Sequence, residues 1–135
     1  MSQVLIATRR NEELTPFLEL NGFEVQDVGG DIFKVTRENE LPVYLSVSDN
    51  NMYFEVDLGN INEIASKELY FSLLDLNTEV LPVSFGINNT NPDDPRLVLV
   101  ESRETGDLSD QELLAVFDAM ELATDKAEVL LSKAV

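Results

Sequence analysis

Carboxylates are the one catalytic device this chain holds in plenty. Its 135 residues include 26 Asp and Glu against 9 Lys and Arg, and no His, Cys or Trp. That composition removes the thiol nucleophile, the imidazole base, the disulfide framework and the ordinary zinc site. The most concentrated pair, Asp93-Asp94, sits in the Pro- and Asn-rich stretch 88–95. General acid–base work by such a pair needs a burial-shifted pKa inside a cleft, whereas neighbours in a loop of this composition are more simply solvated turn formers. Two oxygen-rich runs, Asp49-Asn50-Asn51 and Asp57–Glu63, have the ligand type that Ca²⁺ or Mg²⁺ takes, but neither has the EF-hand spacing. A turn accounts for the first and a helix entry for the second. Gly29-Gly30 follows a strand without the further glycines that cradle a pyrophosphate, so it reads as a hairpin turn. The expectation is no catalytic residue, no metal and no cofactor.

The formal charge of -17 argues against phosphate backbones and anionic lipid as direct ligands, so no nucleic acid is expected. Arg9-Arg10 is the only basic doublet and is too small for a nucleic-acid footprint. The acidity is spread along the chain, and on a surface of about 7,000 Å² the carboxylates lie about 16 Å apart, twice the Debye length at physiological salt. It therefore acts as a background of solubility and selectivity, able to steer a basic partner. No stretch approaches the length of apolar residues that spans a bilayer. The start of the chain lacks a basic n-region, so the expectation is a cytoplasmic protein without direct membrane insertion.

No repeat or linker divides the sequence, which predicts a single α+β domain over residues 1–135. A first helix is predicted over 11–21, with Asn11 as N-cap, Leu14, Phe17 and Leu18 on one face, and Asn21-Gly22 as its stop. Pro16 weakens its first half. Residues 3–7 fit either an extension of that helix or a strand.

Residues 23–58 read as a four-stranded antiparallel meander. A loop at Gly29-Gly30-Asp31 sets Val25 against Val35, and a loop at Glu38-Asn39-Glu40 sets Phe33 against Leu45 and Val35 against Val43. A two-residue turn at Asp49-Asn50 sets Val47 against Met52, Leu45 against Phe54 and Val43 against Val56. All three turns direct the same apolar side chains inward, and a slip of one residue in any of them would destroy that agreement. The opposite face of the last hairpin is wet and carries Tyr44 and Tyr53. These two offer a recognition surface, or serve simply as cross-strand residues of good strand propensity.

A second helix is predicted over 61–76 from Ile64, Ala65, Leu69, Leu73 and Leu76. Two strands follow. In the first, Leu81, Val83, Phe85 and Ile87 alternate with Pro82, Ser84 and Gly86, which suits an edge strand or a close backbone approach at Phe85 and Gly86. The second, over 96–103, holds the unbroken run Leu97-Val98-Leu99-Val100 and is expected to be buried on both faces or to form an interface. Ser109-Asp110-Gln111-Glu112 then forms a capping box for a long terminal helix, with Leu108 able to staple onto Leu113. At about 37 Å that helix exceeds one layer of a small domain, so its far end is expected to meet a second subunit.

This order, α-ββββ-α-ββ-α, resembles the small acidic chaperones of type III secretion systems. Leu41-Pro42-Val43-Tyr44-Leu45-Ser46-Val47-Ser48-Asp49, Leu81-Pro82-Val83-Ser84-Phe85-Gly86-Ile87 and the acidic terminal helix are similar to the bacterial YjfI family, over roughly residues 20–132. The first resemblance implies dimers that hold an extended or unfolded client segment without catalysis. The second implies a fold and no established activity, with genes that tend to lie beside one for a phage-shock protein A-like membrane-stress protein. The combined expectation is a non-catalytic binding or adaptor protein and not an enzyme, assembled as a homodimer, that takes a helix or extended segment of another protein through Tyr44, Tyr53, Phe85 and Gly86. A carboxylate-based or metal-dependent hydrolase is the alternative.

Overall fold

The computed structural model describes residues 11–48, 50–105 and 108–134. The expectations for residues 3–7, Arg9-Arg10 and Asp49 lie outside these residues. The elements are α1 (Asn11–Leu20), β1 (Glu24–Gly29), β2 (Ile32–Thr36), β3 (Val43–Ser48), β4 (Asn51–Asn60), α2 (Lys67–Leu76), a 3₁₀ turn (Asn77–Glu79), β5 (Ser84–Asn88), β6 (Arg96–Glu104) and α3 (Asp110–Ala134). All six strands join one antiparallel sheet in the order β1-β2-β3-β4-β6-β5, which leaves β1 and β5 at the edges.

The meander has the register its alternation predicts: Val25 faces Val35, Phe33 faces Leu45, and Leu45 faces Phe54. The first turn differs from the expected three-residue loop. Gly29 pairs with Ile32, so only Gly30 and Asp31 connect the strands, and a bulge between Asp27 and Gly29 takes up the extra residue. Both connecting residues have positive φ, the conformation a tight hairpin requires. Because the bulge absorbs one position, the apolar face stays in phase on both sides of it.

That face carries Phe33, Val35, Val43, Leu45, Met52, Phe54, Val56 and Leu99 into the core, where α1 adds Leu14 and Leu18 and α3 adds Leu113, Val116, Phe117 and Met120. Phe117 is the keystone. Its ring centroid lies 4.8 Å from Phe23 and 5.7 Å from Phe54, the latter edge-on, the offset and T-shaped arrangements that aromatic quadrupoles favour.

The end of α1 and the starts of α2 and α3 each have a chemical cause. In α1, Gly22 N–H bonds Glu19 O and Phe23 N–H bonds Leu18 O around Gly22 at φ 92°, a Schellman stop. The capping box of α3 is formed reciprocally, with Glu112 N–H on Ser109 Oγ at 3.1 Å and Ser109 N–H on Glu112 Oε1 at 3.3 Å. The second helix starts later than the spacing of Ile64 and Ala65 predicts. Ser66 is its N-cap, accepting from Leu69 N–H, and Ile61 is buried with its N–H on Pro95 O.

A smaller cluster of Ile61, Leu69, Leu73 and Leu97 lies under α2, and Leu130 and Leu131 pack against it. One side of the far end of α3, at Leu130 and Leu131, therefore meets α2 of its own chain, while Val129 stays exposed. The helix is long because it covers two clusters in succession.

Candidate functional site

All three helices pack on the same face of the sheet, which leaves the other face, the β1 and β5 edges and the outward sides of the helices open among the described residues. Between α2 and β5 runs an apolar groove of about 360 Å³, lined by Tyr70, Leu73, Leu74, Phe85, Gly86, Ile87 and Leu97. Leu73 and Leu97 are buried and form its floor. The rim is open, with Leu74 69% exposed and Tyr70 and Ile87 also on the surface. A helix usually turns one apolar stripe inward. This one is apolar on both sides, because its inward stripe is Leu69 and Leu73 while Tyr70, Phe71 and Leu74 look out.

The edge strand is held by a side chain. Phe85 N–H donates to Asn77 Oδ1 at 2.6 Å, and Asn77 is itself fixed as the C-cap of α2, with its N–H on Asp75 O and Leu73 O. Gly86 pairs with Val98 on β6, and a methyl built on it would sit 3.9 Å from Val98 Cγ2, an ordinary contact. Glycine is thus not demanded there by a close approach within the chain.

Tyr44 and Tyr53 lie on the uncovered sheet face, apart from the groove. Tyr44 is opposite Glu55 and Tyr53 opposite Ser46, both rings being partly exposed. The Tyr53 hydroxyl donates to Glu55 Oε1 at 2.8 Å. Burial of the phenol, that hydrogen bond and the Glu55 charge together push its pKa up to about 12. The structure thus separates the four sequence-predicted contacts into two surfaces, Phe85 and Gly86 at the groove and Tyr44 and Tyr53 on the sheet.

Val98 is buried although it points to this uncovered face. Asp57 lies directly across from it, and Arg96 Nε reaches both Asp57 oxygens at 3.2 Å beside it. Both-face burial of the run at 97–99 is therefore real.

Asp94 and Asp57, from the two candidate acidic stretches, are engaged in turns and ion pairs. Asp94 accepts from Asn60 Nδ2 at 2.6 Å and from Arg96 Nη1 at 3.0 Å, and these bonds hold its carboxyl below the ordinary range. Asp57 Oδ1 accepts from Gly59 N–H at a bulge in β4, so the run at 57–63 ends a strand instead of opening the helix. Among the described residues no three acidic side chains converge as a metal site would require, and no helix is long and apolar enough to cross a membrane.

The antiparallel six-stranded sheet with three helices on one face is a fold shared with solved structures. A chain of the heterodimeric ExoU–SpcU complex from the type III secretion system of Pseudomonas aeruginosa is similar with a TM-score of 0.70 at 16% identity, over 87% of this chain and 96% of that one. YbjN from E. coli, a proposed transcription regulator, is similar with a TM-score of 0.69 at 17% identity, over 95% of this chain and 96% of that one. No family model and no curated protein matches the chain.

Proposed function

We propose that the protein is a non-catalytic, chaperone-like adaptor that holds a segment of another protein in the groove between α2 and β5. The reading rests on that groove: Leu74 and Ile87 stand exposed to water at an edge strand, and clustered exposed apolar groups of this kind mark protein interaction sites. The likeness to a chain that forms a heterodimeric complex in a type III secretion system supports it. Phe85 and Gly86 contact the held segment, and Tyr44 and Tyr53 supply a second contact on the uncovered face. The resemblance to the YjfI family makes a phage-shock protein A-like membrane-stress protein the first partner to test. The adaptor acts as a homodimer, for which Leu122 and Val129, exposed and seven residues apart on one side of α3, supply apolar contact.

A hydrolase using Asp94 as a general acid would require its carboxyl kept protonated in a cleft, whereas hydrogen bonds from Asn60 and Arg96 favour its ionised form.

Affinity capture from the native cell with the wild-type chain and with Leu74→Asp tests the proposal. The expected result is a protein retained by the wild type, released by salt and lost from the variant. Equal capture by both chains, or capture of nothing but the chain itself, would sink it.

A further inference from the structure

If the groove holds a protein segment, as proposed above, the chemistry of its walls selects the conformation of that segment. Alternate residues of an antiparallel edge strand turn both backbone groups outward. The bond from Phe85 N–H to Asn77 Oδ1 shows that Phe85 faces outward, and Ile87 follows by alternation. One of the two outward donors of this five-residue strand is thus already taken by a side chain anchored at the end of α2. Strand addition draws its affinity from a run of main-chain hydrogen bonds, and here it would have to displace Asn77 to obtain one. An extended segment lying deeper, against Leu73, Leu74 and Ile87, would leave backbone donors and acceptors unpaired on apolar walls, at a cost a helix avoids by satisfying its own.

Charge defines the rest of the ligand. Residues 66–96, which build α2, β5 and their flanking loops, carry Lys67 and Arg96 against Glu68, Asp75, Glu79, Asp93 and Asp94, in a chain of net charge -17. Arg96 is paired with Asp94 and Lys126 with Glu79, so the local surplus is Glu68, Asp75 and Asp93 over Lys67. We infer that the groove takes an amphipathic α-helix of another protein, apolar on one face and flanked by Lys or Arg, and that Asn77 guards the β5 edge against strand addition.

Two synthetic Leu/Lys/Gln peptides of identical composition test this, one with Leu at helical spacing and one with Leu at alternate positions. A third keeps the helical spacing and replaces Lys by Glu. Each is labelled and titrated against the wild type, Leu74→Asp, Asn77→Ala and Asn77→Asp, with far-UV circular dichroism confirming that each variant folds. The helical Lys peptide is expected to bind the wild type at least about tenfold more tightly than the other two, to lose about tenfold on Leu74→Asp, and to weaken with salt. Asn77→Ala is expected to gain affinity for the alternating peptide, while Asn77→Asp, which keeps the acceptor, is not. Equal or tighter binding of the alternating peptide by the wild type would overturn the helical inference and leave the adaptor reading standing. Equal binding of the Glu peptide would overturn the basic flank, and no gain in Asn77→Ala would overturn the guard. Failure of all three peptides to bind would overturn the inference, while the capture experiment decides the adaptor reading separately.

Discussion

Arg37 and Glu121 tie the β2–β3 connection to the middle of α3. Nε and Nη2 of Arg37 both donate to Glu121 Oε1, at 2.9 and 2.7 Å, while Nη2 also reaches Asp118 at 3.0 Å and the guanidinium carbon lies 4.5 Å above the Phe23 ring. The pair is half-buried on both sides. A planar fork that bonds in two directions and stacks on a ring has no equivalent in lysine. Arg37→Lys is expected to lower unfolding free energy by about 1 kcal/mol in urea denaturation, and Arg37→Ala by more, since it also uncovers Phe23.

Adjacent leucines on α2 separate folding from binding. Leu73 is buried on the groove floor, so Leu73→Ala is expected to cost about 2–4 kcal/mol of stability. Leu74 is mostly exposed, and Leu74→Ala is expected to change stability by less than about 0.5 kcal/mol while weakening partner capture. Thermal unfolding and capture, measured on both variants, check the contrast.

At the start of α3, the Ser109 backbone N–H and hydroxyl, and then Arg103, hold the Glu112 carboxyl below its ordinary value of 4.5. A group with a lowered folded pKa stabilises above its unfolded value, and that contribution disappears as pH falls through the folded one. Stability is therefore expected to decline below about pH 4.5, with a shallower decline in Glu112→Gln. Ser109→Ala is expected to cost about 1 kcal/mol at neutral pH, read as a lower denaturation midpoint.

Tyr53 titrates in the opposite sense. Its phenol is favoured over the phenolate by burial and by Glu55, so its contribution is fully present below pH 10 and is lost as pH rises toward about 12. Ultraviolet titration of Tyr53→Phe is expected to lack the phenolate that appears near 12 in the wild type, and Glu55→Gln to bring that ionisation to lower pH.

The meander was legible because three turn lengths and one alternating apolar pattern had to agree, and Val35 and Leu45 each sit in two of those pairings. The α3 start was legible for a similar reason, two reciprocal bonds being written in Ser109 and Glu112. The placement of β6 between β4 and β5 was not, because local alternation says nothing about which distant strand pairs with which. Phe85 and Gly86 stood out as edge residues from Pro82 and Gly86, but the rest of the groove did not. Tyr70 and Leu74 were hidden by the inward stripe of the same helix, although an apolar residue on its outward side was the available signal. Asn77 directly follows the predicted end of the second helix, and its hold on Phe85 depends on β5 returning to the end of α2, a tertiary contact that no local pattern encodes.

Amide hydrogen exchange of the full chain, with and without the captured partner, locates the held segment. Added protection is expected in α2 and β5, around Leu74 and Ile87, and is expected to disappear when Leu74→Asp replaces the wild type. Protection confined to the hairpin of Tyr44 and Tyr53, with α2 and β5 unchanged, would contradict binding in the groove.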